Sequence, residues 1–308
     1  MIVVVCPGQG AQTPGFMLPW LDVPAFRNSI EAMQNASGID LIAHGTVSDA
    51  DTIRDTAVAQ PLIVSAGVAT LAALFDNGGQ VSAQIAGVAG HSVGEITAAV
   101  ASGIFTAEQG IRFVKERGDS MALAAGLEPT SMAAILGGDQ TIVESRLAEL
   151  GLEPANYNGG GQIVAAGSAA AIGELQAEGP TGSRVIPLQV AGAFHTRYMA
   201  PAVSNLAGYA SGLTVADPAT KLWTNAGGVN ITSGQEFLNL MVNQVKSPVR
   251  WDLCMASMVE AGVTALIEVS PAGTLTGLAK RSMPGVETLA IKTPDNLDAA
   301  IELIANHA

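Results

Sequence analysis

A serine between two glycines, at the junction of an apolar strand and a helix, constrains this chain more than any other feature. Gly90-His91-Ser92-Val93-Gly94 follows the apolar run Ile85 to Ala89 and precedes the helical Glu95-Ile96-Thr97-Ala98-Ala99. A serine placed there needs a sharp, strained turn with small flanking residues, at the end of a buried strand. The turn lifts the hydroxyl clear at a helix N-terminus, where main-chain N–H groups favour developing negative charge. A plainer reading makes the glycines packing residues and the serine an N-cap. The pentapeptide alone fits that reading, whereas the strand before it and the helix after it favour a nucleophile elbow.

The rest of the chain supplies the sheet that such an elbow requires. Short buried-strand candidates, Ile2 to Cys6, Ile85 to Ala89 and Ala265 to Val269, alternate with helical stretches at Pro61 to Phe75, Ala107 to Ala125 and Trp251 to Ala261. That alternation predicts a mainly parallel sheet covered by helices, with Pro61 in the first turn of its helix. Between 126 and 190 the rhythm changes to Met132–Leu136, helix Thr141–Leu150, Pro154–Tyr157, Gln162–Ala166, helix Ala169–Ala177 and Val185–Leu188. The order is βαββαβ, the ferredoxin-like signature. The expected organisation is therefore α/β: a discontinuous core of residues 1–125 and 191–308 carrying an inserted lobe at 126–190. A chain of 308 residues is long enough for both.

Composition narrows the chemistry. No run of about 18 uninterrupted apolar residues is present, so no membrane span is expected. Met1-Ile2-Val3-Val4-Val5-Cys6-Pro7 lacks the basic start of a signal peptide and reads as a strand, which points to the cytoplasm. Cys6 and Cys254 are distant and apolar in setting, which suits buried thiols rather than a disulfide. With the four histidines also dispersed, no metal site is visible. A formal charge of −13 argues against nucleic acid or anionic membrane as partner. An acidic protein partner would need a local basic patch, for which Arg112, Lys115, Lys280 and Arg281 are the candidates.

A serine nucleophile needs a base. Of the four histidines, His91 adjoins the serine on a tight turn and is expected to point elsewhere, His307 is near a fraying terminus, and His44 lies in a polar loop with no catalytic neighbours in sequence. His195 remains, in Val190-Ala191-Gly192-Ala193-Phe194-His195-Thr196, at the hinge where a cleft between the lobes would form. Pro7-Gly8-Gln9-Gly10-Ala11-Gln12 follows the first strand, and its glycines let main-chain N–H groups approach an oxyanion. Its glycine spacing is wrong for a dinucleotide loop. Arg117 shares a helix with apolar Phe113, Val114 and Met121, so it meets either an internal carboxylate or one that arrives with a ligand.

Taken together, Pro7-Gly8-Gln9-Gly10-Ala11-Gln12, Gly90-His91-Ser92-Val93-Gly94-Glu95, Arg117-Gly118-x-x-Met121, Gly192-Ala193-Phe194-His195 and Thr274-Leu275-Thr276-Gly277-Leu278 resemble the malonyl-CoA:acyl carrier protein transacylases of bacterial fatty acid synthesis. The resemblance spans nearly the whole chain. It implies an α/β-hydrolase-like core with a ferredoxin-like insertion, Ser92 as nucleophile and His195 as base. It further implies that Arg117 clamps the malonyl carboxylate and that the N–H groups of Gln9 and Val93 form the oxyanion hole. A main-chain carbonyl from Gln244 would orient the histidine in place of a third carboxylate, and Asn158 and Gln162 would lie near the pocket. The implied substrates are malonyl-CoA and the phosphopantetheine thiol of acyl carrier protein, with no bound cofactor and no metal. Many members carry Pro-Ser-His where this chain has Ala193-Phe194-His195, and the Phe form resembles the malonyl-selective acyltransferase domains of polyketide synthases. Two rival readings are a hydrolase sharing the elbow, which would release free malonate without a thiol acceptor, and a non-enzymatic docking subunit, which could not be acylated.

Overall fold

Strand β1 (Ile2–Cys6) has no polar face, so it belongs where both sides of a sheet are covered, and all five of its residues are buried. In the computed structural model, which describes residues 1–75 and 84–307, β1 runs parallel to β2 (Gly87–Gly90) on one side and β10 (Ala265–Glu268) on the other. β11 (Glu287–Ala290) and β7 (Lys221–Trp223) extend the parallel sheet, and the short β8 (Asn230–Ile231) closes one edge antiparallel, giving the order β11-β10-β1-β2-β7-β8. β2 begins at Gly87, two residues later than the apolar run at Ile85 predicts, and reaches Gly90 of the elbow.

Helices Thr56–Leu74 and Ala107–Ala125 pack against each other beside this sheet. The first is long and apolar enough to cross a bilayer, but its residues lie in the main core. Its start is a correction to the expectation. Asp55 accepts from the N–H of Ala57 and caps the helix at Thr56, so Pro61 lies within the helix rather than in its first turn. A second correction concerns two histidines. His44 sits in the helix Leu41–Thr46, and His307 ends the helix Leu297–His307, tied by Nδ1 to Thr264 Oγ1 at 2.8 Å rather than frayed.

The smaller sheet has the order β6 (Ser183–Leu188), β3 (Thr130–Gly137), β5 (Gln162–Ser168), β4 (Glu153–Gly159), all antiparallel. Helices Gln140–Glu149 and Ala169–Ala177 cover one face of it around a separate core that includes Ile135, Leu147, Ile163 and Leu175. The βαββαβ order and the ferredoxin-like arrangement are those expected. One strand was not: β9 (Val249–Arg250) joins β4 in parallel and links the small sheet to the last third of the chain. Two residues are too few to show a strand period.

The elbow explains its own glycines. A Cβ on Gly94 would lie 2.1 Å from the main-chain oxygen of Cys6, and one on Gly90 would lie 2.0 Å from the main-chain carbon of Gly94. Both obstacles are main chain, of β1 in one case and of the start of the elbow helix in the other, so neither can rotate away. Gly94→Ala is therefore expected to cost at least the about 1 to 3 kcal/mol typical of overpacking. Urea denaturation measures it, and a midpoint equal to that of the parent protein would contradict the close approach.

Candidate active site

The elbow leaves Ser92 at a φ of 53°, and His195 has a φ of 61°; among the described residues these are the only two non-glycine residues with positive φ. Strained main chain of this kind persists only where the surroundings over-determine it. For Ser92 the surroundings are Asn225, which follows β7. Asn225 Oδ1 accepts from the Ser92 N–H at 2.8 Å, and its Nδ2 donates to the Gly90 carbonyl at 2.7 Å. For His195 they are the N–H bond to the Val245 carbonyl at 2.9 Å and the ring contacts.

Those ring contacts bring together residues far apart in the chain. His195 Nε2 is 2.7 Å from Ser92 Oγ, and Nδ1 is 2.8 Å from the main-chain oxygen of Gln244. A carbonyl can only accept, so Nδ1 carries the proton and Nε2 presents its lone pair to the serine hydroxyl. Gln244 ends the helix Gly234–Gln244, where carbonyls have no intrahelical partner. That helix end also has the negative pole of the dipole, which favours a developing imidazolium. Burial, and then the positive charge of Arg117, push the His195 pKa down to about 3, so the ring is neutral and able to take a proton.

Arg117 lies on the buried face of the helix Ala107–Ala125, next to Phe113, Val114 and Met121, and is only 2% exposed. Neither a carboxylate nor solvent receives its fork. Nη1 donates to Gln60 Oε1 at 2.5 Å and Nη2 to Gln244 Oε1 at 2.8 Å, with Nη2 also 3.5 Å from Ser92 Oγ. Burial pulls its pKa down to about 10, and the nearest counter-charge, Glu95, opposes that fall. The guanidinium is thus positioned by neutral amides and keeps its charge for a ligand.

Ser92, His195 and Arg117 face a cleft of about 590 Å³ between the two sheets. Phe194, Asn158 and Gln162 line it as well. Asn158 Oδ1 accepts from His91 Nε2 at 2.9 Å, so the His91 ring turns to Asn158 at the cleft wall and leaves Ser92 Oγ to His195. Gln9 and Val93 also line the cleft, and among the described residues no protein acceptor takes the main-chain N–H of either. Thr274 and Leu275 close the far side, on a helix whose N-terminal N–H groups at Leu275 and Thr276 are capped by the buried Glu268 carboxylate. The four candidate basic residues divide between two helices. Arg112 and Lys115 pair along their own helix with Glu108 and Asp119, whereas Lys280 and Arg281 lie on the helix Thr274–Ser282, and Arg281 reaches Gln162 at the cleft. No group of three His, Cys, Asp or Glu side chains among the described residues is arranged to hold a metal ion.

Four polar side chains of the site were missed in the sequence. Gln60 had a signal: in the helix Thr56–Leu74, Ser65 and Thr70 bond back to helix carbonyls, while Gln60 reaches out to Arg117. Glu95 also had one, as a charge in an apolar helix. Asn225 and the side chain of Gln244 had none, because each is defined only by what packs against it.

The fold and the Ser–His pair define a class: an α/β protein with a serine on a strand-to-helix elbow, a neutral histidine beside it and a smaller ferredoxin-like lobe over the cleft. The family model for the acyl transferase domain matches residues 3–293. Malonyl CoA-acyl carrier protein transacylase of Mycobacterium tuberculosis is 45% identical over 303 residues, covering 98% of this chain and 100% of that protein. The crystal structure of MCAT from Mycobacterium tuberculosis superposes with a TM-score of 0.93 at 45% identity, covering 98% of this chain and 99% of that one. A malonyl-transacylase solved in complex with a type II polyketide synthase acyl-carrier protein superposes with a TM-score of 0.91 at 28% identity, covering 98% and 99%. The chain belongs to the acyl transferase family, among its malonyl CoA-acyl carrier protein transacylases.

The buried histidine has a measurable consequence. The unfolded chain protonates His195 near pH 6.5 while the native ring resists to about pH 3, so its contribution to stability is lost as pH falls through that window. Glu95, raised to about 7 chiefly by burial, acts in the opposite sense between about pH 4.5 and 7. The two oppose each other in the parent protein. A His195→Asn variant lacks only the first, so its stability relative to the parent is expected to rise between pH 7 and pH 5 in urea denaturation. A pH-independent difference would mean that the native ring titrates normally.

Proposed function

We propose that this protein moves a malonyl group from coenzyme A to the phosphopantetheine thiol of an acyl carrier protein, through an ester on Ser92. The observation that carries this reading is Arg117, a buried guanidinium held by two amide oxygens and 3.5 Å from Ser92 Oγ. A malonyl group bound to Ser92 has its free carboxylate two carbons from the ester carbonyl, within the span of that fork. Carboxylate and guanidinium then make a two-pronged contact whose attraction is strong because water is excluded. A hydrolase built on the same elbow has no use for such a group.

In the first half-reaction His195 Nε2 takes the Ser92 proton as Oγ attacks the thioester carbon. The N–H groups of Gln9 and Val93 receive the charge on the tetrahedral oxygen, and coenzyme A leaves as its sulfur regains a proton from His195. In the second, the carrier's thiol gives its proton to His195 as its sulfur attacks the malonyl ester, and Ser92 Oγ leaves as it regains that proton from His195. Ping-pong kinetics follow. Phe194 narrows the pocket beside His195, and Asn158 and Gln162 shape its wall. Lys280 and Arg281 would attract an acidic carrier, Arg281 beside Gln162 at the cleft. The relatives' role in fatty acid or polyketide synthesis suits a cytoplasmic protein with neither nucleic acid nor membrane as partner.

Ser92→Ala is expected to abolish the malonyl adduct seen by intact-protein mass spectrometry after mixing with malonyl-CoA; an adduct at normal stoichiometry would exclude Ser92. Arg117→Lys keeps the charge and loses the fork, so kcat/KM for malonyl-CoA is expected to fall by about tenfold or more, with acetyl-CoA much less affected. Equal losses on both would reject the clamp. Phe194→Ser is expected to raise methylmalonyl-CoA relative to malonyl-CoA, by the factor that about 1 to 3 kcal/mol of relieved crowding allows. An unchanged ratio would remove Phe194 as the selector.

A further inference from the structure

The buried carboxylate of Glu95 touches no part of the cleft, yet its bonds end on both halves of the site. It is the first residue after Gly94 of the elbow and is 1% exposed. Oε1 accepts from Thr224 Oγ1 at 3.0 Å and from the Asn225 N–H at 2.6 Å, which joins the elbow helix to the end of β7. Oε2 accepts from Gln244 Nε2 at 2.5 Å. The same amide nitrogen lies 3.1 Å from the Ser92 carbonyl and 3.2 Å from Asn225 Oδ1. Three acceptors therefore surround Nε2, and Oε1 of Gln244 is left facing Arg117 Nη2 at 2.8 Å.

An amide has one donating end and one accepting end. Turned over, Gln244 would set its oxygen against the carboxylate and its NH2 against a guanidinium that can only donate. We infer that Glu95 is a positioning residue: it sets the polarity of the Gln244 amide, and through that amide it aims Arg117 at the substrate carboxylate. The arrangement also explains why the carboxylate stands one residue away from the arginine. In direct contact it would neutralise the guanidinium and compete with the ligand, whereas through a neutral amide it orients the fork and leaves the charge free. Gln244 meanwhile holds His195 with its main-chain oxygen, so base and clamp share one residue but use separate atoms of it.

The inference rests on Arg117 being the clamp, and the test separates the two. Glu95→Gln keeps an oxygen for Thr224 and Asn225 but turns an NH2 toward Gln244, which forces that amide over. Gln244→Met removes the amide and keeps the main-chain oxygen for His195. With Arg117→Ala as reference, kcat/KM is measured for malonyl-CoA and acetyl-CoA on each variant, after circular dichroism confirms folding. Glu95→Gln is expected to lower malonyl transfer by about tenfold or more, mainly through KM, the size expected when a hydrogen bond to a charged group is lost, and to lower acetyl transfer far less. Gln244→Met is expected to show the same preference for loss on malonyl-CoA, and the double variant to be no worse than Gln244→Met alone, because both act on one amide. Additive losses, equal losses on the two substrates, or no loss would overturn the inference. If Glu95→Gln does not fold, equal losses in Gln244→Met overturn it alone. If Arg117→Ala itself leaves the malonyl-to-acetyl ratio unchanged, the clamp reading fails instead.

Discussion

Everything in the site depends on how closely the elbow packs onto the first strand. With no Cβ on Gly94, the helix that begins there sits directly on the main chain of Cys6, and the Ser92 turn is pressed against the end of β1. β1, β2 and β7 are parallel neighbours, so their C-terminal ends open on the same side. Gln9 follows β1, Ser92 follows β2, and Thr224 and Asn225 follow β7. Ligands of open parallel sheets bind at such ends because helix N-termini and free N–H groups gather there. The next strand along, β10, ends in Glu268, whose carboxylate caps the helix forming the cleft's far side.

The second organising fact is a guanidinium and a carboxyl group buried near each other without touching. Arg117 and Glu95 are almost wholly sealed from water, where an isolated charge costs several kcal/mol. Direct contact would be the simplest compensation. Here the amides of Gln60 and Gln244 intervene, so both terminal nitrogens of the guanidinium have a neutral acceptor while it stays able to take another anion. The neutral state of His195 belongs to the same arrangement, since the arginine's charge disfavours a second cation beside it.

Periodicity and glycine placement made much of this legible without coordinates. The elbow, the alternating core and the βαββαβ order of 126–190 could be read because each is a local pattern: a turn that only glycine permits, apolar runs of strand length, and helices of amphipathic spacing. Local patterns also misled. Pro61 marked a helix start that Asp55 sets, His44 lies in a helix where a loop was expected, and two-residue β9 left no trace.

What the sequence determined by itself was the scaffold and which side chains are candidates for the site, because strand, turn and helix preferences act over a few residues. Only the tertiary structure decided the charge and aim of those groups. The neutrality of His195 comes from burial and from an arginine 78 positions away, and the orientation of Arg117 from Gln60, Gln244 and, one amide further, Glu95. Desolvation and hydrogen-bond polarity are properties of the surroundings in three dimensions, and no window of sequence contains them.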